Sequence, residues 1–168
     1  LRFCRHLEGL TPTVFSHRDF HTRNILIHDE SLYMIDFQDA RLGPPHYDLA
    51  SLLYDAYVPI NDQQRRALLA RYESALSSTA LHLQINWETF DEELRQVAFQ
   101  RTIKAAGSFA SFYIRHGKDT HLCYLLPALL SALSLQKSCS SLPEELKSIF
   151  NLPHWIELIK QRKLTKDP

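Results

Sequence analysis

At 168 residues, with 45% hydrophobic and 23% charged side chains, the chain is one domain's worth of ordinary globular protein with enough apolar residues for a real core. Lys plus Arg equals Asp plus Glu at 19 each, so the formal net charge is zero, which argues against a general nucleic-acid binder. Cys4, Cys123 and Cys139 lie far apart without CxxC spacing, which excludes a zinc cluster and reads as thiols of a reducing compartment; the apolar run Leu125 to Leu135 is too short to span a membrane and is broken by Pro127, Ser131 and Ser134.

In chain order, Leu1 to Thr11 reads as the end of a helix or linker, with Gly9 as its stop. Thr13 to Phe15 is a short β-prone run. Ile25 to His28 and Leu32 to Ile35 each read as a strand, with Asp29, Glu30 and Ser31 as the turn between them. An antiparallel hairpin of this kind brings Asn24 and Asp36 to the same end. Gly43-Pro44-Pro45 breaks the backbone. Tyr47 to Tyr57 is expected to be helical, with Pro59 as its stop. A helix capped by Asn61 or Asp62 then runs to about Ser77, with Leu68, Leu69, Tyr72 and Leu76 as its apolar face. Thr89 with Glu92 is a capping-box pattern, though Asn86 can also cap, and a long helix follows to about Arg115. Its stripe holds Phe99, Ile103, Ala106, Phe109 and Phe112, and Phe109, Phe112 and Tyr113 are expected in the core. Thr120 to Lys137 is helical, with Pro127 restarting or kinking it. Pro143 to Phe150 and Pro153 to Lys163 are two short helices, and Leu164 to Pro168 is expected to fray. The expected fold is therefore α+β and mainly α, a small hairpin followed by five or six helices.

The chemistry sits in His17 to Asp39, which reads HRDFHTRNILIHDESLYMIDFQD. Phosphoryl transfer needs an acceptor hydroxyl positioned, metal ions held and charge on the transferring group offset. The pattern H-R-D-x-x-x-x-N supplies an Asp that orients the hydroxyl and receives its proton, and an Asn that is a neutral metal ligand. A second Asp after the next strand completes the metal site. In this chain these are Asp19, Asn24 and Asp36, hard oxygen ligands suited to Mg²⁺ with ATP as co-substrate.

His17-Arg18-Asp19-Phe20-His21-Thr22-Arg23-Asn24 resembles the catalytic loop of the aminoglycoside phosphotransferase and choline kinase-like families. Protein kinases usually carry Lys where His21 stands, and the 11 residues between Asp36 and Asp48 leave no room for an activation segment. Both points favour a small-molecule acceptor. Ile35 to Ala40, Gly43-Pro44, Tyr47-Asp48-Leu49 and Ser51-Leu52-Leu53 resemble bacterial anomeric amino-sugar kinases, as do Gln100-Arg101, Ile103-Lys104, Gly107, Phe109 and Gly117-Lys118. Those enzymes phosphorylate N-acetylmuramate and N-acetylglucosamine in peptidoglycan recycling.

The resemblance implies Asp19 as catalytic base, Asn24 and Asp36 as metal ligands, and Asp48 as a buried brace accepting hydrogen bonds from the catalytic loop. His17 is expected beneath the loop, bonded to backbone, and His21 to steady the loop or touch phosphate. Gln38, Asp39 and Arg41 are candidate acceptor contacts. Arg101 and Lys104, three apart on one helix face, are candidate contacts to a sugar carboxylate or a phosphate. His46, His82, His116, His121 and His154 are read as structural or surface residues.

No Gly-rich loop after a strand and no G-x-x-x-x-G-K-[ST] is present. The expectation is a C-terminal lobe, with a catalytic hairpin over 12–40 and a helical acceptor-binding part over 46–164. The nucleotide-binding lobe would lie outside residues 1–168, and the piece alone would lack turnover. Nucleotide and small-molecule acceptor are the expected partners, with no nucleic acid and no membrane, in the cytoplasm. The alternatives are an aminoglycoside, choline or homoserine-type kinase lobe, or an inactive binding module.

Overall fold

The computed structural model describes residues 2–161. Leu1, Arg162 and Lys163 at the end of the last expected helix, and the tail expected to fray lie outside the described residues. The elements run α1 (Arg2–Glu8), β1 (Val14–Ser16), β2 (Ile25–His28), β3 (Ser31–Met34), β4 (Arg41–Gly43), α2 (His46–Leu53), α3 (Asp62–Leu76), α4 (Ala80–Gln84), α5 (Trp87–His116), α6 (Leu125–Ser138), α7 (Glu144–Ile149) and α8 (Leu152–Gln161). This is the mainly helical α+β fold read from the sequence. It holds two antiparallel ribbons, β2–β3 and β1–β4.

The β2–β3 hairpin turns on Asp29 and Glu30 alone. Their φ values of 46° and 59° are the pair of left-handed residues that a tight turn needs to match strand twist. His28 pairs with Ser31, so Ser31 opens the second strand instead of belonging to the turn. Beyond the ladder, the Ile35 N–H donates to the Asn24 carbonyl at 3.0 Å, which closes the open end of the hairpin just before Asp36. β4 was not legible in the sequence, since three residues before two prolines carry no period. Its partner makes it a strand: Val14 pairs with Gly43 and Ser16 with Arg41. A side chain at Gly43 would meet the Ser16 hydroxyl at 3.2 Å, so the close approach of the two strands favours glycine there.

Local hydrogen bonds decide three helix boundaries, of which only the end of α2 departs from expectation. α2 ends at Leu53, short of Tyr57, because Asp55 turns its carboxylate onto the Tyr57 N–H at 2.8 Å and competes with the helix for that donor. α3 begins on a capping box in which Asn61 and Gln64 exchange two hydrogen bonds of 2.9 Å. None of its residues is buried, and Leu68 is exposed, not part of an apolar face. α5 is capped by Asn86, whose side chain accepts from the Glu88 N–H at 3.1 Å. Glu92, the other half of the expected capping box, is engaged elsewhere. It accepts from the Ser140 hydroxyl and from the Ser141 N–H and hydroxyl, tying α5 to the chain after α6. α4 is a short helix the sequence reading did not include.

α5 is the axis of the molecule. Its 30 residues span about 45 Å and end on Gly117 at φ 64°, the left-handed cap that favours glycine. Phe90, Leu94, Val97, Ala98, Phe99, Ala106 and Phe109 are buried along it. Ala128, Leu129, Ala132 and Leu135 of α6 join the same core, as do Ala50 and Leu53 of α2. Ile103 and Phe112 are only half-buried, and Tyr113 is exposed, contrary to its expected core position. Pro127 sits in the first turn of α6, where its missing N–H costs no helical bond.

His46, at the start of α2, is the most telling polar residue of this core. It is 1% exposed, its ring lies 4.3 Å from that of Phe90, and neither ring nitrogen has a hydrogen-bond partner. Glu93 Oε2 stands 3.3 Å from Nε2 without forming a hydrogen bond. Burial pushes the imidazole down to about 4, so at neutral pH it is uncharged and the contact is not an ion pair. The folded state thus refuses a proton that the unfolded chain accepts near pH 6.5. Stability should be fully present above that value and fall as the pH drops towards about 4. The loss attributable to this residue should approach ~3 kcal/mol. Urea unfolding from pH 7.5 to pH 4 should show it, and His46→Leu should flatten that part of the curve. An unchanged pH dependence in the variant would remove His46 as its source.

Candidate active site

The loop that carries Asp19 is held from below by a single carboxylate. Asp48, in the first turn of α2, accepts from the His17 N–H at 2.6 Å and from the Arg18 N–H at 2.9 Å, one oxygen to each. Two successive amides can converge on one anion only if the chain turns sharply, and Arg18 does so with φ 71°. Such a conformation costs of order 1–3 kcal/mol in a residue with a side chain and persists where neighbours over-determine it. Asp48 is half-buried, not enclosed.

His17 is buried and joins the loop to the hairpin. Its Nε2–H donates to the Ile35 carbonyl at 2.9 Å, and its Nδ1 accepts from the Asp19 N–H at 3.4 Å. These bonds fix one neutral tautomer, with the proton on Nε2. Asn24 is buried at the end of a 3-10 turn, Thr22–Asn24. Its amide N–H donates to the Asp19 carbonyl at 2.9 Å and to the Asp19 carboxylate at 3.3 Å, which leaves its oxygen as the outward donor atom. Asp36 follows the closed end of the hairpin with φ 66°, a second left-handed non-glycine residue, and its carboxylate accepts from the Gln38 amide at 2.6 Å.

Asp55, overlooked in the sequence, holds the far end of the loop. One of its oxygens accepts from both the Thr22 N–H at 2.8 Å and the Thr22 hydroxyl at 2.6 Å, and the residue is buried. Its signal was present: with Tyr47 to Tyr57 read as one helix, Asp48 and Asp55 are two turns apart and would share a face, although Asp55 lies just beyond the end of α2. His21, between the two anchored ends, places Nε2 3.3 Å from Asp19 Oδ2, while its ring packs edge-on against Tyr57. The His21 hydrogen bond, more than burial opposes it, holds the Asp19 carboxyl below the usual carboxylate range, with further help from Arg101 and Lys104.

Asp19 and His21 open into a cleft of about 320 Å³ whose other walls include Tyr54, Tyr57, Arg101, Lys104 and Ser108. The structure therefore brings Arg101 and Lys104 of α5 to the same space as Asp19. It does not bring Gln38, Asp39 or Arg41 there. Gln38 is occupied with Asp36, the Asp39 carbonyl takes a bond from Arg18 at 3.4 Å, and Arg41 lines a separate depression with Arg18, Cys4 and Gln100. Of the wall residues, Tyr54, Tyr57 and Ser108 carried no sequence pattern that marked them, because each reaches the cleft only through the α2–α5 packing.

Residues 2–82 match the model of the phosphotransferase enzyme family. Curated relatives extend the similarity. The N-acetylmuramate/N-acetylglucosamine kinase of Neisseria meningitidis is 36% identical over 110 residues, covering 66% of this chain and 33% of the relative. The protein of the same name in Pseudomonas aeruginosa is 34% identical over 111 residues, again 66% and 33%. That of Caulobacter vibrioides is 30% identical over 118 residues, 67% and 31%. The chain thus spans about a third of the length of the curated relatives it matches.

The two carboxylates that clamp the loop should be worth more to stability than surface aspartates. Asp48→Ala leaves two donors without their acceptor and Asp55→Ala leaves three. Each should cost about 2–4 kcal/mol in urea unfolding, while Asp55→Asn, which keeps one acceptor oxygen, should cost less than Asp55→Ala. Losses below about 0.5 kcal/mol in both alanine variants would mean the clamps do not hold the loop.

Proposed function

We propose that this chain carries the catalytic base and metal ligands of an ATP-dependent phosphotransferase whose acceptor is a sugar hydroxyl, the anomeric hydroxyl of N-acetylmuramate or N-acetylglucosamine. The observation that carries the reading is the Asp19 carboxylate, fixed at both ends of its loop and opening into a cleft with aromatic and hydroxyl walls. The family match over residues 2–82 and the names of the relatives support it. In this reading the helical part, 46–164, supplies the acceptor cleft. A cationic acceptor, such as an aminoglycoside or choline, is disfavoured by Arg101 and Lys104 in the same walls.

Asp19 orients the acceptor hydroxyl and receives its proton as the oxygen attacks the γ-phosphorus and the bond to the leaving nucleotide breaks. A carboxylate held below its usual range is a weak base, so its main work is alignment. The proton passes late, as charge develops on the transferring group. The Asn24 and Asp36 oxygens fit Mg²⁺. They are hard donors at the closed end of the hairpin, and two protein ligands suffice for an ion that keeps waters and nucleotide oxygens in its shell. Bound there, the ion would offset charge on the phosphates. His17 and Asp48 are proposed as supports of the loop, and His21 as the group that keeps Asp19 ionised. A reaction that consumes ATP also places the protein, as part of this proposal, in the cytoplasm.

In the full-length enzyme, Asp19→Asn should lower kcat by about 10²–10⁴-fold while nucleotide affinity stays within a few-fold. Wild-type turnover in that variant would refute the assignment of the base. His21→Ala removes the largest influence that lowers the Asp19 carboxyl. The acid limb of its kcat/KM profile should move to higher pH, and a limb that stays in place would detach His21 from Asp19 ionisation.

A further inference from the structure

We infer that Arg101 and Lys104 form an anion subsite in the Asp19 cleft that receives the carboxylate of an acidic amino sugar, and so select the acidic over the neutral acceptor. The inference rests on the sugar-kinase reading above and adds to it which residues distinguish the two sugars.

The two residues stand one turn apart on α5, and both line the cleft that holds Asp19. Three other basic side chains of the helices meet acidic ones a turn away: Arg65 with Asp62, Arg95 with Asp91 and Glu92, Lys147 with Glu144. Arg101 and Lys104 do not. The positions three and four residues away on either side are Val97, Ala98, Gln100, Ala105, Gly107, Ser108 and the two cations themselves. Two like charges at this spacing repel unless an anion joins them.

Arg101 is held ready for one. Its guanidinium lies 4.4 Å from the centre of the Tyr47 ring and donates to the Tyr47 hydroxyl at 2.6 Å, while its Nε has no hydrogen-bond partner. The planar group is thereby fixed before any ligand arrives, which lowers the entropy cost of binding. Lys104 is exposed and takes no hydrogen-bond or ion-pair partner among the described residues. The carboxylates of the cleft make no hydrogen bond or ion pair with the two cations, although the charge of Asp19 reaches both. Asp55 has both oxygens committed, to Thr22 and to the Tyr57 N–H, and Asp19 is bonded to Asn24 and His21. A ligand anion is the missing partner.

A sugar carboxylate and the transferring phosphoryl group are both anions, and the full-length enzyme can separate them with three substrates. N-acetylmuramate and N-acetylglucosamine differ by an ether-linked acid, and the methyl ester of N-acetylmuramate keeps the bulk of that group without its charge. The wild type should prefer the acid over its ester. In Lys104→Met the ratio of kcat/KM for the acid to that for the neutral sugar should fall at least tenfold, through KM of the acid, and the acid–ester preference should disappear. Arg101→Lys should lower the ratio less than Arg101→Met. If every substrate loses kcat alike in Lys104→Met and the ratio stays within twofold, the pair serves the phosphoryl group and the inference is overturned. If the wild type turns over none of the three, the sugar-kinase reading itself fails and takes the inference with it. Loss of the ratio in the variant, with turnover present in the wild type, supports both.

Discussion

The Asp48 carboxylate, receiving two successive amides from His17 and Arg18, is the contact on which the rest of the site depends. It sits at the junction of core and chemistry. α2 is fixed against α5 by Ala50 and Leu53, which are fully buried, and that packing sets where Asp48 points. Asp48 then forces the turn at Arg18, and the turn decides the direction in which Asp19 leaves the loop. A second carboxylate, Asp55, two residues beyond the end of α2, fixes the exit at Thr22. One helix and the turn that follows it thus hold both ends of the loop, and the apolar core acts on the candidate base through two anions.

The hairpin is tied to this frame by fewer bonds. Ile27 and Leu32 are more than two-thirds exposed, and every residue of β3 is exposed. Its position relative to the loop rests on the bond between Ile35 and Asn24, and on His17 bridging the Ile35 carbonyl to the Asp19 amide. The two left-handed residues of the site, Arg18 and Asp36, lie on either side of that bridge. Strain of this kind survives only where bonds on both sides impose it. Here the imposing groups are Asp48 on one side and the closed end of the hairpin on the other.

Much of this was legible because it is local. The Asp19–Asn24 spacing, the strand–turn–strand pattern and the helical stripe of α5 each lie within a short window, where period and residue type carry the signal. What escaped depends on partners distant in sequence. β4 is a strand only because β1 lies beside it. The early end of α2 follows from Asp55 taking the Tyr57 N–H, a demand that no periodicity of Tyr47 to Tyr57 reveals. Gln38, Asp39 and Arg41 follow the metal-ligand candidate in sequence, but the chain turns them away from the cleft, whereas Arg101 and Lys104 reach it from a helix far downstream. Proximity in sequence to a motif was a poor guide to proximity in space.

The electrostatics of Asp19 explain why so much of the structure goes into holding it. A strong general base needs a carboxyl raised towards neutrality by burial or by a like charge. Asp19 has the opposite surroundings: half-exposed, bonded to His21 and Asn24, and facing two cations. Its proton affinity is low, so little rate can come from basicity alone. What the arrangement supplies instead is geometry, an ionised acceptor held at a fixed place and angle where effective concentration does the work. For the proposed phosphoryl transfer, rigid anchoring by Asp48 and Asp55 is then a requirement. A loop free to move by an ångström would lose the one advantage that so weak a candidate base has.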